Sequence, residues 1–394
     1  MTTDDMTIED MTTDRPDPAR PMRVLIVTDA WRPQVNGVVR TLEETRKVLV
    51  GMGCEVEVIA PQESVGPEGA GWARPDFRTL PLPTYPDIRI SLFPRAEVRR
   101  RMLAFAPHAV HIATEGPLGW AARALCLRWG MPFTTSYHTQ FPEYVRARAP
   151  VPERLTYAVV RRFHNAGGCT MVTTPSMVEF LRPRGFAHLA AWTRGVDLSR
   201  FDPGLRWAPD GVYAGLPRPV WVNVGRVAVE KNIETFLSLD LPGTKVVVGD
   251  GPARAELEAR FPDAVFTGAK GGEELARHFA DADVFVFPSL TDTFGLVIIE
   301  AMACGTPVAA FPATGPIDII PGSGAGVLAE DVSAEALRAA CLDALEVPRA
   351  TARAHAETFS WQAAGERFFE LLTPDYRPKA RERWRRLRRM GARL

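Results

Sequence analysis

Short runs of apolar residues, each followed by turn residues and then by helical spacing, recur through the first half of the chain. They lie at residues 24–29, 56–60, 109–113, 132–137 and 171–175. A fully apolar run is typical of a strand that is covered on both faces. The alternation of such strands with helices predicts an α/β domain with a mainly parallel sheet.

A second series of the same kind begins after residue 219. Its predicted strands lie at residues 221–226, 245–251, 264–270, 283–289 and 307–311. Residues 201–219 are rich in Pro and Gly and lack periodicity, which predicts a hinge. A chain of 394 residues is also too long for one ordinary hydrophobic core. We therefore predict two Rossmann-like, doubly wound domains, residues 22–200 and 220–359, that face each other across a ligand cleft.

The two ends of the chain differ from the domains. Residues 1–21 are acidic and polar with little to bury, so we predict a disordered leader. A last helix, residues 360–376, is predicted to cross back over the domains. The basic tail, residues 377–394, places its apolar residues on one helical stripe, namely Trp384, Leu387 and Met390. Such a helix suits the surface of an anionic bilayer, and the alternative is a solvated tail.

Composition narrows the class of protein. Lys plus Arg equals Asp plus Glu at 47 each, so no overall field favours nucleic acid. The five cysteines lack CxxC spacing and lie mostly in apolar runs, which favours buried thiols in a reducing cytosol. The sequence shows neither a signal peptide nor an apolar run of about 18 residues. We therefore predict a cytoplasmic protein whose contact with a membrane is peripheral.

Residues 287–311 (FPSLTDTFGLVIIEAMACGTPVAAF) carry the strongest chemical signal. Their pattern predicts a buried strand that ends at Pro288, a polar turn 289–293, an apolar helix 294–304 and a second strand 307–311. Asp292 lies in the turn, and Glu300 lies among apolar residues of the helix. Because a buried charge is costly unless a polar group meets it, we expect a cationic or hydroxyl-rich partner. The helix start also offers free N–H groups to an anion.

Two cations follow the first strand of the second series, in the sequence VGRVAVEKN. Arg226 comes directly after the strand, and Lys231 lies five residues later at the start of the next helix. Two cations at a helix N-terminus oppose the helix dipole unless an anion lies between them. A diphosphate would satisfy both. The alternative for Lys231 is a solvated surface position.

Several glycines follow strands or begin helices. Gly37, after Asn36, lies where a backbone can approach a phosphate closely, although a turn glycine is the simpler interpretation for Gly37 alone. The turn between Gly249 and Gly251 follows a strand but lacks the GxGxxG spacing of a dinucleotide fold.

Three polar residues mark strand ends in the first domain. His138 closes an apolar strand and is expected to point into the cleft from the wall opposite the acidic pair. Arg194 lies at another strand end, close to the hinge. A salt bridge from Arg194 to Asp197 is an equally good interpretation of that residue.

A second basic segment adjoins apolar residues in the first domain. The sequence RAEVRRRM follows Ile88, Ile90, Leu92 and Phe93, and its arginines are Arg95, Arg99, Arg100 and Arg101. Together with the tail around Trp384, this segment predicts contact with an anionic membrane surface.

Taken together, these motifs resemble those of the retaining GT-B glycosyltransferases of glycosyltransferase family 4, over residues 22 to about 372. TDTFGLVIIEAMACGTPVAA resembles the acidic E-x7-E motif, with Asp292 in place of the usual glutamate and therefore one methylene shorter. GRVAVEK resembles the diphosphate-binding Arg and Lys, YHT the active-site histidine strand, and PQVNGV the glycine loop. HIATEGPLG, SYHTQFPEY and FPATGPID most resemble bacterial enzymes that glycosylate diacylglycerol or related lipids, and GDP-mannose-dependent mannosyltransferases.

The resemblance implies a role for each matching residue. Arg226 and Lys231 would neutralise the diphosphate leaving group, Glu300 would accept hydrogen bonds from the ribose, and Asp292 and His138 would contact the transferred sugar. The candidate donor-binding residues are Gly37, Arg194, Gly225, Gly249, Gly251, Thr293, Phe294, Gly295 and Leu296. The resemblance implies no cofactor and no metal, because the two cations would do the work of a divalent ion. The substrate would be a UDP- or GDP-sugar.

Three functions fit this sequence. The first is a retaining transferase that moves a hexose of the glucose, glucuronate or mannose type to a membrane lipid such as diacylglycerol, on the inner face of the cell membrane. The second uses the same chemistry on a saccharide acceptor in capsule or exopolysaccharide synthesis. The third is a non-catalytic nucleotide-sugar sensor, which the fold by itself does not exclude.

Overall fold

The computed structural model describes residues 21–34, 36–61, 64–65, 72–73, 77–82, 85–140, 142, 152–206, 211–374 and 386. The predicted leader lies outside the described residues except for Pro21. The predicted basic tail, including Trp384, lies outside them except for Arg386.

The first sheet lies in the first half of the chain. The described strands in this half of the chain are β1 Arg23–Val27, β2 Glu55–Ile59, β3 Ser64–Val65, β4 Trp72–Ala73, β5 Thr79–Leu82, β6 Tyr85–Ser91, β7 Ala109–Ile112, β8 Thr134–Tyr137, β9 Cys169–Val172 and β10 Leu189–Ala191. The sheet order is β10-β9-β8-β7-β1-β2-β3-β4, and β5 pairs with β6 in a separate hairpin. All neighbours from β10 to β2 are parallel. The winding direction reverses between β1 and β7, which is where such sheets bind ligands.

The second sheet is entirely parallel among the described residues. Its strands are β11 Val220–Val224, β12 Thr244–Val248, β13 Val265–Gly268, β14 Val284–Phe287, β15 Val308–Ala310 and β16 Gly326–Leu328. The order is β13-β12-β11-β14-β15-β16, so its reversal point lies between β11 and β14. Two doubly wound sheets confirm the predicted α/β class.

Helices connect these strands and cover both sheets. The described helices are Gly37–Gly51, Arg95–Phe105, Pro117–Trp129, Glu153–His164, Pro175–Leu181, Ile233–Ser238, Arg254–Arg260, Gly272–Asp281, Leu296–Ala303, Pro316–Ile319, Ala334–Ala344, Arg349–Ala356 and Trp361–Leu371. The helix predicted at 294–304 begins two residues later, because Gly295 has a left-handed φ of 87° that a helix does not continue. Predicted strands such as 283–289 are longer than the observed ones, because their last polar residues belong to the loops.

The described residues of the segment predicted as a hinge, 201–206 and 211–219, contact the second domain through ion pairs. Arg206 pairs with Asp283, and Arg218 pairs with both Asp281 and Asp283. The ring of Tyr213 is buried, and its backbone N–H donates to Asp281. The described residues of this segment thus hold ion pairs with the second domain, and its role as a hinge stays a prediction.

The last described helix, Trp361–Leu371, crosses back to the first domain. Phe368 is fully buried there, with its ring 5.0 Å from that of Trp192 and 4.7 Å from that of His111. The indole N–H of Trp192 donates to the carbonyl of Ala364 over 3.0 Å. The predicted crossing helix is thus present and packs into the core of the first domain.

Close packing at this crossing predicts the effect of a small substitution. A Cβ added to Gly365 would lie 2.4 Å from Cγ1 of Val48, so Gly365→Ala should lower the free energy of unfolding by about 1–3 kcal/mol. Gly51→Ala is the control, because a Cβ there meets nothing within 4 Å. Urea unfolding measures both variants. A Gly365→Ala protein as stable as the wild type would contradict this packing.

Candidate active site

The reversal point of the second sheet brings a lysine and an aspartate together. Lys231 ends a short turn after β11, and Asp292 lies in the turn after the neighbouring strand β14. Lys231 Nζ donates to both carboxylate oxygens of Asp292, over 2.6 and 2.8 Å. Burial raises the pKa of Asp292, but attraction to Lys231 and its hydrogen bond outweigh burial, and the pKa falls below its usual value. Lys231 is therefore an ion-paired lysine of the site and not a solvated one.

Arg226 is anchored by an acid that the sequence analysis did not identify. Its Nη2 donates to Oε1 of Glu230 over 2.6 Å, and the Glu230 side chain is only 4% exposed. The side chain of Arg226 is 36% exposed. The spacing of four residues between these opposite charges is the sequence signal that could have suggested the pair. Arg226 and Lys231 thus lie on one loop, each held by a carboxylate.

The glycines after β11 and β12 bring two loops into contact. A Cβ on Gly249 would lie 1.8 Å from the carbonyl oxygen of Gly225, and one on Gly251 would lie 2.3 Å from that of Val227. The turn at Gly249–Gly251 therefore supports the loop that carries Arg226. At Gly225 itself an added Cβ meets no described atom within 4 Å, so this backbone has room beside it.

Two helix starts face each other across the cleft. A Cβ on Gly37 would lie 3.3 Å from Cδ1 of Leu296, so the first turn of helix Gly37–Gly51 touches that of helix Leu296–Ala303. Phe294 is buried just before Gly295. The predicted glycine loop and the predicted anion-binding helix start are therefore adjacent.

Threonines join the two domains beside this contact. Thr293 Oγ1 donates to the carbonyl oxygen of His138 over 2.6 Å, and Thr173 Oγ1 donates to that of Thr293. Gln140 also donates to Thr314 Oγ1 over 2.7 Å. These bonds hold the turn that contains Asp292 against the strand ends of the first domain.

Glu300 has the cationic partner that its burial requires. Arg40, in the first turns of helix Gly37–Gly51, donates a hydrogen bond from Nη1 to Oε1 of Glu300. The Glu300 side chain is 4% exposed. Burial raises the pKa of Glu300, and the charges of Arg40 and Arg200 act against this rise. The sequence analysis missed Arg40; an arginine among the apolar residues at the start of a helix was its only local signal.

His138 lies in a hydrogen-bonded network of the first domain, and its carbonyl oxygen accepts from Thr293, the residue after Asp292. Its Nδ1 accepts a hydrogen bond from Nη2 of Arg194 over 3.2 Å, and its Nε2 lies 2.8 Å from Oγ of Ser136. Burial and the charge of Arg194 hold the pKa of His138 well below its usual range. Its imidazole is therefore neutral near pH 7.

Arg194 does not pair with Asp197, so the alternative of a hinge salt bridge is wrong. Asp197 pairs with Arg200 at 3.6 Å instead. Arg194 is buried over the Trp192 ring at 4.2 Å, and its Nη1 donates to the carbonyl oxygens of Trp192 and Thr193. Burial lowers the pKa of Arg194 to about 9. Arg194 therefore orients His138.

Asp29, at the end of β1, is a further acid at the reversal point of the first sheet. Its carboxylate accepts hydrogen bonds from the hydroxyl of Thr114 and from the N–H groups of Leu118 and Gly119. Burial nevertheless raises its pKa to about 6. These bonds join β1 to the start of helix Pro117–Trp129, which is a structural role.

The arginines predicted to meet a membrane do not share one environment. Arg95 and Arg100 are exposed and Arg99 is half-buried. Arg101 is buried beside Glu97 and Glu57, with charged atoms 3.2 and 3.7 Å apart, so it is not available to a membrane surface. Burial among these partners removes Arg101 from the predicted set.

The described residues contain no group of three or more His, Cys, Asp or Glu side chains arranged to hold a metal ion. None of their helices combines the length and the apolar character needed to cross a membrane.

Comparison with known proteins identifies the class. Residues 35–200 match the model of Glycosyltransferase Family 4, and residues 218–347 match that of Glycosyl transferases group 1. The sucrose-phosphate synthase of Thermosynechococcus elongatus superposes with a TM-score of 0.68 at 20% identity, over 89% of this chain and 98% of that one. Anabaena HepE, solved with UDP and glucose, gives 0.66 at 16% identity, over 89% and 98%. The fold is that of a GT-B glycosyltransferase.

Relatives in sequence identify the family. The GDP-mannose-dependent alpha-mannosyltransferase of Mycobacterium tuberculosis is 34% identical over 78% of this chain and 83% of that protein. The sulfoquinovosyl transferase of Arabidopsis thaliana is 33% identical over 77% and 62%. The alpha-monoglucosyldiacylglycerol synthase of Streptococcus pneumoniae is 24% identical over 73% and 71%. The chain belongs to glycosyltransferase family 4, which confirms the resemblance seen in its motifs.

The Lys231–Asp292 pair predicts a pH-dependent contribution to stability. Because the pKa of Asp292 is lowered from 3.8 in the folded protein, the pair stabilises the fold above about pH 4 and loses this effect as the pH falls through the lowered pKa. Lys231→Gln should therefore reduce the free energy of unfolding at pH 7 and differ less from the wild type at pH 3. Urea unfolding at both pH values measures this. The control is Lys47→Gln, which breaks an exposed pair with Glu44 and should have little effect at either pH. If Lys231→Gln lowered the free energy of unfolding equally at both pH values, the predicted role of the Lys231–Asp292 pair would be contradicted.

Proposed function

We propose that this glycosyltransferase moves a hexose from a nucleoside-diphosphate sugar to a membrane lipid, with retention of anomeric configuration. The observation that carries the proposal is one cluster of charges at the reversal point of the second sheet. Arg226, Lys231 and Asp292 lie there beside the start of the helix that holds Glu300, and His138 lies on the opposite wall.

The donor would bind with its diphosphate at the loop of Arg226 and Lys231. Arginine gives a forked contact and lysine a point charge, so the two can neutralise the charge that develops as the diphosphate leaves. The N–H groups of Phe294, Gly295 and Leu296 precede or begin the helix and can add hydrogen bonds. HepE, a structural neighbour, binds UDP and glucose, which supports a nucleotide-sugar site in this fold.

Glu300 and Asp292 would each contact a different part of the donor. Glu300, one turn into the helix, would accept hydrogen bonds from the ribose hydroxyls. Asp292 would hold hydroxyls of the transferred sugar, in an orientation fixed by its two hydrogen bonds from Lys231. His138 would border the sugar as a neutral ring. We assign it no proton transfer, because both ring nitrogens lie within hydrogen-bond distance of partners in the first domain.

The reaction would proceed at the face from which the diphosphate departs. The acceptor hydroxyl oxygen forms the new bond to the anomeric carbon as the bond to the diphosphate oxygen breaks, and the hydroxyl proton passes to that departing oxygen. Front-side attack of this kind retains the configuration and needs no covalent sugar–enzyme intermediate. The roles of the protein are to orient the donor and to stabilise the leaving charge.

An exposed apolar and basic surface in the first domain favours a lipid acceptor. We define the hairpin surface as Leu80, Ile90, Phe93, Arg95, Arg99 and Arg100. Phe93, which is 94% exposed, lies two residues before helix Arg95–Phe105, and Leu80, which is 56% exposed, lies in strand β5 of the hairpin. Large exposed apolar side chains beside clustered arginines suit an anionic bilayer. The diacylglycerol-glycosylating relative of Streptococcus pneumoniae supports the same acceptor class.

The donor site is tested with nucleotide sugars and two substitutions. A thermal-shift panel of UDP-, GDP- and ADP-sugars should show stabilisation by one of them, because a bound ligand raises the apparent stability. With that donor, Glu300→Ala and Lys231→Ala should each lower the rate of transfer to diacylglycerol in mixed vesicles by about 100-fold or more. Lys47→Ala is the matched control. Near-normal turnover in both site variants would refute the assignment, and full activity on a soluble sugar without lipid would favour a saccharide acceptor.

The membrane part is tested by vesicle sedimentation. Replacing Phe93 by Ser and both Arg99 and Arg100 by Gln should weaken binding to anionic vesicles at least about tenfold, since each surface arginine contributes about 1 kcal/mol. The matched control, Val332→Ser with Arg260→Gln and Arg277→Gln, removes an exposed apolar residue and two arginines from the second domain. Equal binding by the two variants would rule out the hairpin surface.

A further inference from the structure

The ion pair between Arg40 and Glu300 crosses the cleft, between residues 260 positions apart in the chain. Arg40 belongs to the first domain, whereas Glu300 belongs to the donor motif of the second. The Arg40 side chain is 24% exposed and the Glu300 side chain is 4% exposed. The carboxylate on which the proposed ribose contact depends is therefore met by a charge from the other domain.

The position of Arg40 is fixed from several sides. Asn36 caps its helix by accepting hydrogen bonds from the N–H groups of Val38 and Val39, each over 3.0 Å. The guanidinium carbon lies 5.2 Å from the ring centroid of Phe201. Together with the contact of Gly37 on the second domain, these interactions leave the guanidinium facing the acid.

The chemistry of a ribose contact explains why this charge matters. A carboxylate can accept hydrogen bonds from two neighbouring hydroxyls, whereas a protonated carboxyl uses one oxygen as a donor. Burial on an apolar helix favours the protonated form, and Arg40 is the largest influence against it. Besides Arg40, the charged side chain that acts on Glu300 is Arg200. The helices packed against this one carry further titratable groups, among them His278, Asp281, Arg349, Arg353 and His355, and His355 bonds to the carbonyl oxygen of Ile319. Arg349 and Arg353 donate to backbone carbonyls, and His278 bonds to Tyr213.

We propose that Arg40 is a positioning residue for donor binding, which holds the Glu300 carboxylate in place as an acceptor for the ribose hydroxyls. The inference rests on the proposed function of Glu300. It adds that the first domain contributes to nucleotide affinity through this acid, without touching the nucleotide. Nucleotide affinity and closure of the cleft are then coupled, because Arg40 reaches Glu300 only when the domains are in contact.

The test compares Arg40→Gln with Lys47→Gln, which removes one positive charge from an exposed position of the same helix. Isothermal titration calorimetry with UDP and with GDP, between pH 5.5 and 8.5, gives the dissociation constant of the nucleoside diphosphate. Glu300→Gln, which cannot ionise, is measured alongside.

Arg40→Gln should bind the nucleotide about tenfold more weakly than the wild type at pH 7, because the Glu300 carboxylate loses the charged hydrogen-bond donor that orients it. The deficit should grow as the pH falls and shrink as it rises, because only the ionised acid accepts both hydroxyls. Glu300→Gln should bind weakly without this trend, and Lys47→Gln should match the wild type. Wild-type or tighter affinity for Arg40→Gln across the range would overturn the inference.

Two further comparisons distinguish failure of the proposed function from failure of the inference about Arg40. If the wild type binds neither UDP nor GDP and no nucleotide sugar stabilises it, the proposed function fails and this inference fails with it. If the wild type binds and Glu300→Gln does not, but Arg40→Gln is unchanged, only the inference fails. Should Arg40→Gln not fold, Arg40→Lys replaces it, because it keeps the charge but not the guanidinium that donates to Glu300. It should show a smaller loss with a weaker pH trend, and unchanged affinity would again overturn the inference.

Discussion

The requirement that a buried carboxylate be met by positive charge organises much of this site. Asp292 is met by Lys231 from the neighbouring loop, Glu230 by Arg226 four residues before it, and Glu300 by Arg40 from the other domain. Glu230 and Glu300, each with a side chain 4% exposed, could not lie so deep in an α/β domain without a partner. Arg226 and Lys231, which two of these acids hold, are also the cations of the proposed diphosphate contact.

The cleft is joined by polar contacts as well as by charge. Thr293 bonds to the backbone of the His138 strand, and Gln140 bonds to Thr314. Hydroxyls and amides of this kind can exchange partners with a substrate at little loss. Such a contact surface is suited to opening and closing, whereas an apolar one of the same extent would resist separation.

Local patterns along the chain were sufficient to predict the sheets and the crossing helix. They also predicted the loops and the helix that carry Arg226, Lys231, Asp292 and Glu300. Each depends on a short window, such as an apolar run that ends in a turn. Partners distant in sequence were not predictable in this way. Arg40 is 260 residues from Glu300, and Arg194 bonds to His138 across 56 residues while Asp197, its near neighbour, turns to Arg200. Arg101 and the loop 201–219 show the same limit, because their ion pairs depend on tertiary neighbours.

The crossing helix Trp361–Leu371 belongs to the second half of the chain but completes the core of the first domain, where Phe368 packs on Trp192. The chain therefore passes from one domain to the other twice, once before β11 and once near Ser360. A chimera that exchanges donor domains between family members would need two junctions, one before β11 and one near Ser360, so that this helix stays with the domain it covers. A single junction in the loop 201–219 would combine a foreign helix with the aromatic surface around Trp192.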